Sequence, residues 1–169
     1  MKLLMTITDK EVLGKNLIFK GDYSLRTAVR AIVFNSENKV AVLHAKKYHF
    51  HKLPGGGVEE GENIKKALRR ELKEELGCIV KIIGEVGKII EIKNQYGQKQ
   101  TSLCYVAKVI NQTEPNLTKE EREDLEIEIT WVSPEAAVKL FKKDKPSDYT
   151  AKFITKRDFI LLNEFLKEK

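Results

Sequence analysis

Three glutamates, Glu71, Glu74 and Glu75, stand at i, i+3 and i+4 within the stretch Ile64-Lys65-Lys66-Ala67-Leu68-Arg69-Arg70-Glu71-Leu72-Lys73-Glu74-Glu75-Leu76. On a helix turning about 100° per residue, the three carboxylates converge on one patch beside the stripe Leu68, Leu72 and Leu76. Like charges at this spacing repel by roughly 0.2–0.5 kcal/mol per pair even in water. Beside an apolar stripe, with less water to screen them, they repel more. A cation relieves that repulsion, and oxygen-only ligands select a hard ion, Mg²⁺ or Mn²⁺, over zinc. The helix taken alone reads equally well as a salt-bridged surface helix, because Lys65, Lys66, Arg69, Arg70 and Lys73 supply positive charge and Arg70 pairs with Glu74 at i, i+4.

The segment just upstream separates the two readings. Leu53-Pro54-Gly55-Gly56-Gly57-Val58-Glu59-Glu60-Gly61-Glu62 sets three consecutive glycines before the acid-bearing helix. Glycines let backbone approach a phosphate and present bare N–H and C=O groups to it. A glycine triplet by itself is a plain turn; its set distance from the acids is what carries information.

Together, Gly56 to Cys78 resembles the Nudix box, Gly-X5-Glu-X7-Arg-Glu-U-X-Glu-Glu-X-Gly-U with U hydrophobic. Gly56, Glu62, Arg70, Glu71, Leu72, Glu74, Glu75 and Gly77 stand in register, and Cys78 fills the last hydrophobic place. Coincidence at any start along a chain of this length is below about 10⁻⁵. The resemblance implies an α/β (α+β) fold, a three-layer α/β/α sandwich around a mixed β-sheet. It also implies an enzyme that hydrolyses the diphosphate linkage of a nucleoside diphosphate bonded to another moiety, with Mg²⁺ as cofactor and Mn²⁺ as the alternative.

Carried over by position, the resemblance makes Glu74 and Glu75 the main metal ligands, with Glu71 either a ligand or the base that deprotonates the attacking water. It makes Arg70 the residue that orients a neighbouring acid and the Gly55 carbonyl the completion of the metal shell. Gly55, Gly56, Gly57 and Glu59 lie on the substrate side, and Glu62 ties the loop to the helix. Many family members use one further acid from outside the box. Glu120, Glu121, Glu123 and Asp124 occupy a suitable polar run, and the sequence does not choose among them. Positions 90–97 hold no proline of the ADP-ribose type, and the arginine-rich approach of the coenzyme A type is absent. The substrate expected is a small nucleotide, such as a normal or oxidised nucleoside triphosphate or a dinucleoside polyphosphate. RNA 5′ ends, and a nucleotide-binding module without turnover, are the competing readings.

Stepping outward from the box, Ala28 to Phe34 and Val40 to His44 read as strands joined by the turn Asn35–Lys39. The helix from Ile64 ends at Gly77, which tolerates the left-handed C-cap. Strand-like runs follow at Ile79–Ile83, Val86–Ile92 and Ser102–Val109, the last two flanking a turn at Asn94–Gly97. A further short strand is expected at Asn16–Phe19 and a half-buried one at Leu125–Val132. Ser133 as N-cap and Pro134 at the first helical position start a helix through about Phe141. Phe159, Leu162, Phe165 and Leu166 give a docking helix over about 151–166. A mixed sheet with helices on both faces is the summary: one domain over 1–169, its core at about 26–145.

The 169 residues are 41% hydrophobic and 33% charged, enough to bury a core. Lys plus Arg is 31 against 25 Asp plus Glu, a net of +6. This suits an anionic partner, but no stripe of basic and exposed aromatic residues marks a nucleic-acid track, so nucleic acid is the less favoured partner. Cys78 and Cys104 have neither Cys-X-X-Cys spacing nor a histidine pair and read as buried thiols. His44, His49 and His51 read as surface or strand-edge residues, Trp131 and Phe50 as core, and Tyr96 as incidental to its turn. The apolar start Met1–Met5 is too short for a signal peptide and no stretch is long enough to span a membrane. A cytoplasmic protein without a membrane partner, monomeric or homodimeric, is expected.

Overall fold

The computed structural model describes residues 1–168. Strand β1 (Leu3–Ile7) leads into a short helix α1 (Asp9–Leu13), capped by the reciprocal pair Thr8 and Glu11. Strands β2 (Ser24–Phe34), β3 (Val40–Ala45) and β4 (Phe50–Lys52) precede helix α2 (Ile64–Leu76). Two long strands follow, β5 (Cys78–Lys93) and β6 (Gln98–Gln112). A π-helical turn (Glu120–Asp124), strand β7 (Ile127–Val132) and helices α3 (Pro134–Lys143) and α4 (Tyr149–Lys167) complete the chain.

The sheet is mixed. Its order is β1-β5-β6-β2-β3-β4, with β7 paired to β3. The pairs β1/β5 and β2/β6 are parallel, and the others are antiparallel. One feature of this sheet creates the site. β3 keeps a single residue pair with β2, Phe34 with Val40, and then pairs with β4 and β7 instead. The glycine segment takes up the freed part of β2: Ala31 N–H donates to the Pro54 carbonyl, Val29 N–H to that of Gly56, and Val58 N–H to that of Thr27. The loop is thus held by backbone hydrogen bonds rather than hanging from its ends.

Alternation along β2 sends Val29, Ala31 and Val33 to one face, where Ala67, Leu68, Leu72 and Leu76 of α2 bury them. Ile32 and Phe34 point to the other face, against Phe141, Phe153, Leu161 and Leu162 of α3 and α4. Each leucine of the α2 stripe, at most 1% exposed, contributes roughly 1.5–3 kcal/mol through burial. This is the expected sandwich: α2 on one face, α3 and α4 on the other.

Local departures from the sequence expectation have identifiable causes. The runs Ile79–Ile83 and Val86–Ile92 are one strand, bent by register shifts at Gly84 and Gly87 rather than broken. Asn16–Phe19 is not a strand. Its Leu17 carbonyl accepts from Asn94 and Phe19 packs on Gly97, so it straps the β5–β6 turn, while the strand of this region is Leu3–Ile7. The three-residue β4, which ends at Lys52, is too short to show a period in sequence.

Candidate active site

α2 starts cleanly because the Asn63 side chain accepts from the N–H groups of Lys65 and Lys66. It stops at Gly77, whose φ of 65° and close approach to the Thr113 carbonyl leave no room for a Cβ. Between these caps the rotation of the helix is set by its buried leucines, and that rotation aims the acids.

Glu71, Glu74 and Glu75 do not form a single patch. Arg70 gathers the first two: its Nη1 donates to Glu71 at 2.9 Å and to Glu74 at 3.3 Å. The same guanidinium grips Glu62 through Nε and Nη2 at 3.0 and 2.9 Å and donates to the Gly57 carbonyl at 3.0 Å. Glu62 is joined to α2 through this arginine, and it accepts from the Glu59 N–H as well. Glu59 meets Glu62 through its backbone, its N–H donating to the Glu62 carboxylate and its carbonyl accepting from the Glu62 N–H, and is itself exposed. The guanidinium holds the Glu62 carboxyl below its usual range.

Glu75 goes the other way. It is 2% exposed and accepts from the Gly55 N–H at 2.5 Å and from the Lys52 ammonium at 2.8 Å. Burial pushes its carboxyl up to about 7, against the opposing pull of Lys52. Burial likewise raises Glu71, with Arg70 opposing. Gly56 sits against that carboxylate: a Cβ there would fall 2.3–2.4 Å from the Glu71 carboxyl atoms. Gly55 has φ 127° and its missing Cβ would meet the Val29 carbonyl at 2.2 Å. Two of the three glycines are therefore required by geometry, for different reasons.

Of the four acids considered outside the box, Glu121 reaches Lys52, while Glu120 and Asp124 line the cavity beside that lysine. Glu121 Oε1 lies 3.6 Å from the Lys52 ammonium. The loop before it is laid over the end of α2 by Thr113 N–H to the Gly77 carbonyl and Asn116 N–H to that of Glu74. Thr118 and Glu121 then hold each other, with the Thr118 N–H and hydroxyl donating to Glu121 and the Glu121 N–H to the Thr118 hydroxyl. Burial works to raise the Glu121 carboxyl, but the Thr118 N–H and Lys52 bring it net below its usual value. The motif Thr-X-X-Glu is a capping-box signature, which marks Glu121 as the acid of a local turn but not as a member of the site. Lys52 has no such signal, since only the fold carries it to Glu75.

Among the described residues no group of three acid, histidine or cysteine side chains is placed to hold a metal ion as it stands. The reason is the division just described: Arg70 holds one set of carboxylates and Lys52 the other. The donors are nonetheless all oxygen, and the Lys52 ammonium between Glu75 and Glu121 is a stand-in cation, so the residues fit a hard divalent ion in kind.

Behind the glycine segment lies a buried charged layer. Leu53 N–H donates to Asp158 of α4 at 2.8 Å, and Asp158 pairs with Arg157, which reaches Glu91 of β5 at 3.4 Å. Gln100 and Ser102 of β6 also donate to Glu91. Arg30 is buried in the same layer and pushed down to about 10 by desolvation. Beside Lys52 opens a cavity of about 450 Å³ lined by Tyr48, Phe50, Leu125, Thr150 and Ile154 among others. His51, on the edge strand β4, is fastened to Asp144 and stacks at 4.3 Å on His44, whose strand β3 is paired on both sides. Tyr96 is half exposed, its ring edge-on to Tyr149. Both cysteines are buried and free.

A mixed sheet between helical layers, with a helix-borne acid set behind a glycine segment, defines the class, and the family model agrees. The NUDIX domain model matches residues 24–153, and the chain belongs to that family. It is an enzyme of the Nudix pyrophosphohydrolase class. No curated protein matches the sequence. Solved structures that resemble it include a NUDIX hydrolase from Nitrosomonas europaea, at 15% identity and TM-score 0.64, covering 86% of this chain and 91% of that one. A MutT protein from Methanosarcina mazei Go1 shares 18% identity at TM-score 0.56, covering 88% and 99%. An ADP-ribose pyrophosphatase from Streptococcus suis shares 17% at TM-score 0.52, covering 85% and 94%. At these identities the likeness is one of fold. Among the described residues no helix is long and apolar enough to cross a membrane.

Proposed function

We propose that this chain, working as one domain, is a Mg²⁺-dependent hydrolase of the diphosphate linkage in a small nucleotide, with Mn²⁺ as the alternative metal. The observation that carries the reading is Glu75: a carboxylate nearly sealed from water, raised by burial, and held by the Gly55 N–H and a lysine at the rim of a nucleoside-sized cavity. A buried acid of this kind is costly to the free protein and useful to one that binds a cation there.

Glu75, Glu121, Glu74 and Glu71 are the candidate ligands, and the Gly55 carbonyl is the backbone ligand that the family resemblance implies. When bound, the metal neutralises diphosphate oxygens and acidifies the attacking water. The protein's own part is positioning. Arg70 orients Glu71 by a hydrogen bond of 2.9 Å, and Glu71, raised by burial, is the base in this reading, accepting a proton from water. The glycine segment, fixed to β2, brings backbone close to the phosphates. Tyr48, Phe50 and Ile154 offer apolar surface to a base or sugar.

The test is a panel of normal and oxidised nucleoside triphosphates, dinucleoside polyphosphates, ADP-ribose, nucleotide sugars and 5′-triphosphate RNA. Phosphate or pyrophosphate release is scored with Mg²⁺. Glu75→Gln and Glu74→Gln should each lower turnover by at least about 10²-fold, the loss expected when metal electrostatics are removed. A hit that persists unchanged in both variants would remove the acids from the mechanism.

A further inference from the structure

Lys52 occupies an unusual position. It is the last residue of β4, its backbone set by pairing with Leu43 of β3, and its side chain is 12% exposed. The ammonium bridges Glu75 Oε1 at 2.8 Å and Glu121 Oε1 at 3.6 Å, while the same side chain lines the cavity of about 450 Å³. It stands at the boundary between the carboxylates and the space open to substrate.

The two cations that hold the site's carboxylates by hydrogen bonds, Arg70 and Lys52, are built differently. Arg70 is a planar fork locked by two hydrogen bonds to Glu62 and one to the Gly57 carbonyl, besides its bonds to Glu71 and Glu74. Moving it would dismantle the loop. Lys52 is a point charge on a flexible stem, and its ion-pair partners are Glu75 and Glu121. A divalent ion competing for those oxygens need displace only this one ammonium.

We propose that Lys52 is an exchangeable counterion: it holds Glu75 and Glu121 in the metal-free protein, gives up those oxygens to the divalent ion, and turns into the adjoining cavity to pair with a phosphate of the substrate. The inference rests on the metal-dependent reading above. Its consequence is linkage. Metal alone must break the close pair with Glu75 and turn the ammonium into a cavity whose acids, Glu120, Asp124 and Asp148, do not pair with it in the metal-free protein. A bound diphosphate supplies a multiply charged anion there, so metal and substrate each favour the other. Lys52 acts here as a positioning residue rather than in the bond-breaking step.

The experiment is calorimetric titration of Mn²⁺, without nucleotide, into the wild type, Lys52→Met and Lys52→Gln. Circular dichroism confirms folding, and the glutamine variant retains a donor for the buried Glu75 if the methionine variant does not fold. The expected result is Mn²⁺ affinity raised about tenfold in the variants, because a charge-assisted hydrogen bond no longer has to be broken. For the nucleotide found by the panel, KM should rise by a larger factor than kcat falls. A lysine that merely supported the fold would weaken metal binding when removed. Unchanged or weaker Mn²⁺ affinity in a folded Lys52→Gln protein overturns the exchange and leaves the hydrolase reading standing on its panel. Absence of Mn²⁺ and Mg²⁺ binding in the wild type as well overturns both.

Discussion

The Gly56 backbone lies against the Glu71 carboxylate so closely that a Cβ at Gly56 would stand 2.3 Å from Glu71 Oε2, whereas one at the adjacent Gly55 would strike the Val29 carbonyl at 2.2 Å. The neighbour of Gly56 is the movable end of a side chain, and the neighbour of Gly55 is backbone. Gly56→Ala should therefore lower turnover by about 10²-fold through a displaced Glu71 while the melting temperature stays within a few degrees. Gly55→Ala should destabilise the protein by about 2 kcal/mol or more, since strain at a φ of 127° adds to the clash. Melting curves beside turnover numbers for the two variants check this; equal losses of stability would contradict it.

The metal-free protein should grow less stable as pH rises. Glu75 has its carboxyl pushed from an ordinary 4.5 up to about 7 by burial. Between those values the folded chain holds a proton that the unfolded chain has released, so stability is greatest on the acid side and is lost as pH climbs through about 7. The contribution of this one group is about 1–3 kcal/mol. Urea denaturation in EDTA at pH 5, 6, 7 and 8 measures it, and Glu75→Gln should flatten the profile. An identical slope in the variant would assign the effect elsewhere.

Arg70 should not tolerate replacement by lysine. A single ammonium cannot reproduce the fork that joins Glu62, Glu71, Glu74 and the Gly57 carbonyl. Arg70→Lys should reduce kcat by roughly 10–10²-fold, consistent with a misoriented Glu71, with a smaller change in KM. A double-mutant cycle of Arg70→Lys with Glu62→Gln should show clear non-additivity, because both changes cut the same link.

Asp158 should be a stability residue rather than a catalytic one. It accepts from Leu53 N–H and neutralises the fully buried Arg157. Asp158→Ala leaves a buried guanidinium short of a partner and should cost about 3–5 kcal/mol. Thermal denaturation reads this directly. Asp158→Asn, which still offers a carbonyl oxygen to Leu53, should lose less.

Much of this architecture was legible in local sequence because its causes are local. The leucine stripe of α2, its stop at Gly77 and the Ser133-Pro134 start of α3 each depend on residues within a turn of one another, and each appears where expected. The spacing of Glu71, Glu74 and Glu75 was equally plain. Their grouping was not, because a helical wheel gives directions but not partners. Glu75 faces inward to Lys52 and Gly55, while its neighbours turn to Arg70.

The sequence by itself determined the family, the helix that bears the acids and the glycines that precede it, since these are short-range patterns with strict spacing. Tertiary structure decided which distant residues complete the site. Glu121 is brought by a loop fastened to the end of α2, and Lys52 by a strand too short to have a period. Asp158 reaches Leu53 across 105 positions of chain. Such contacts depend on how strands splay and helices dock, which follows from burial summed over the whole chain and is written in no single segment of it.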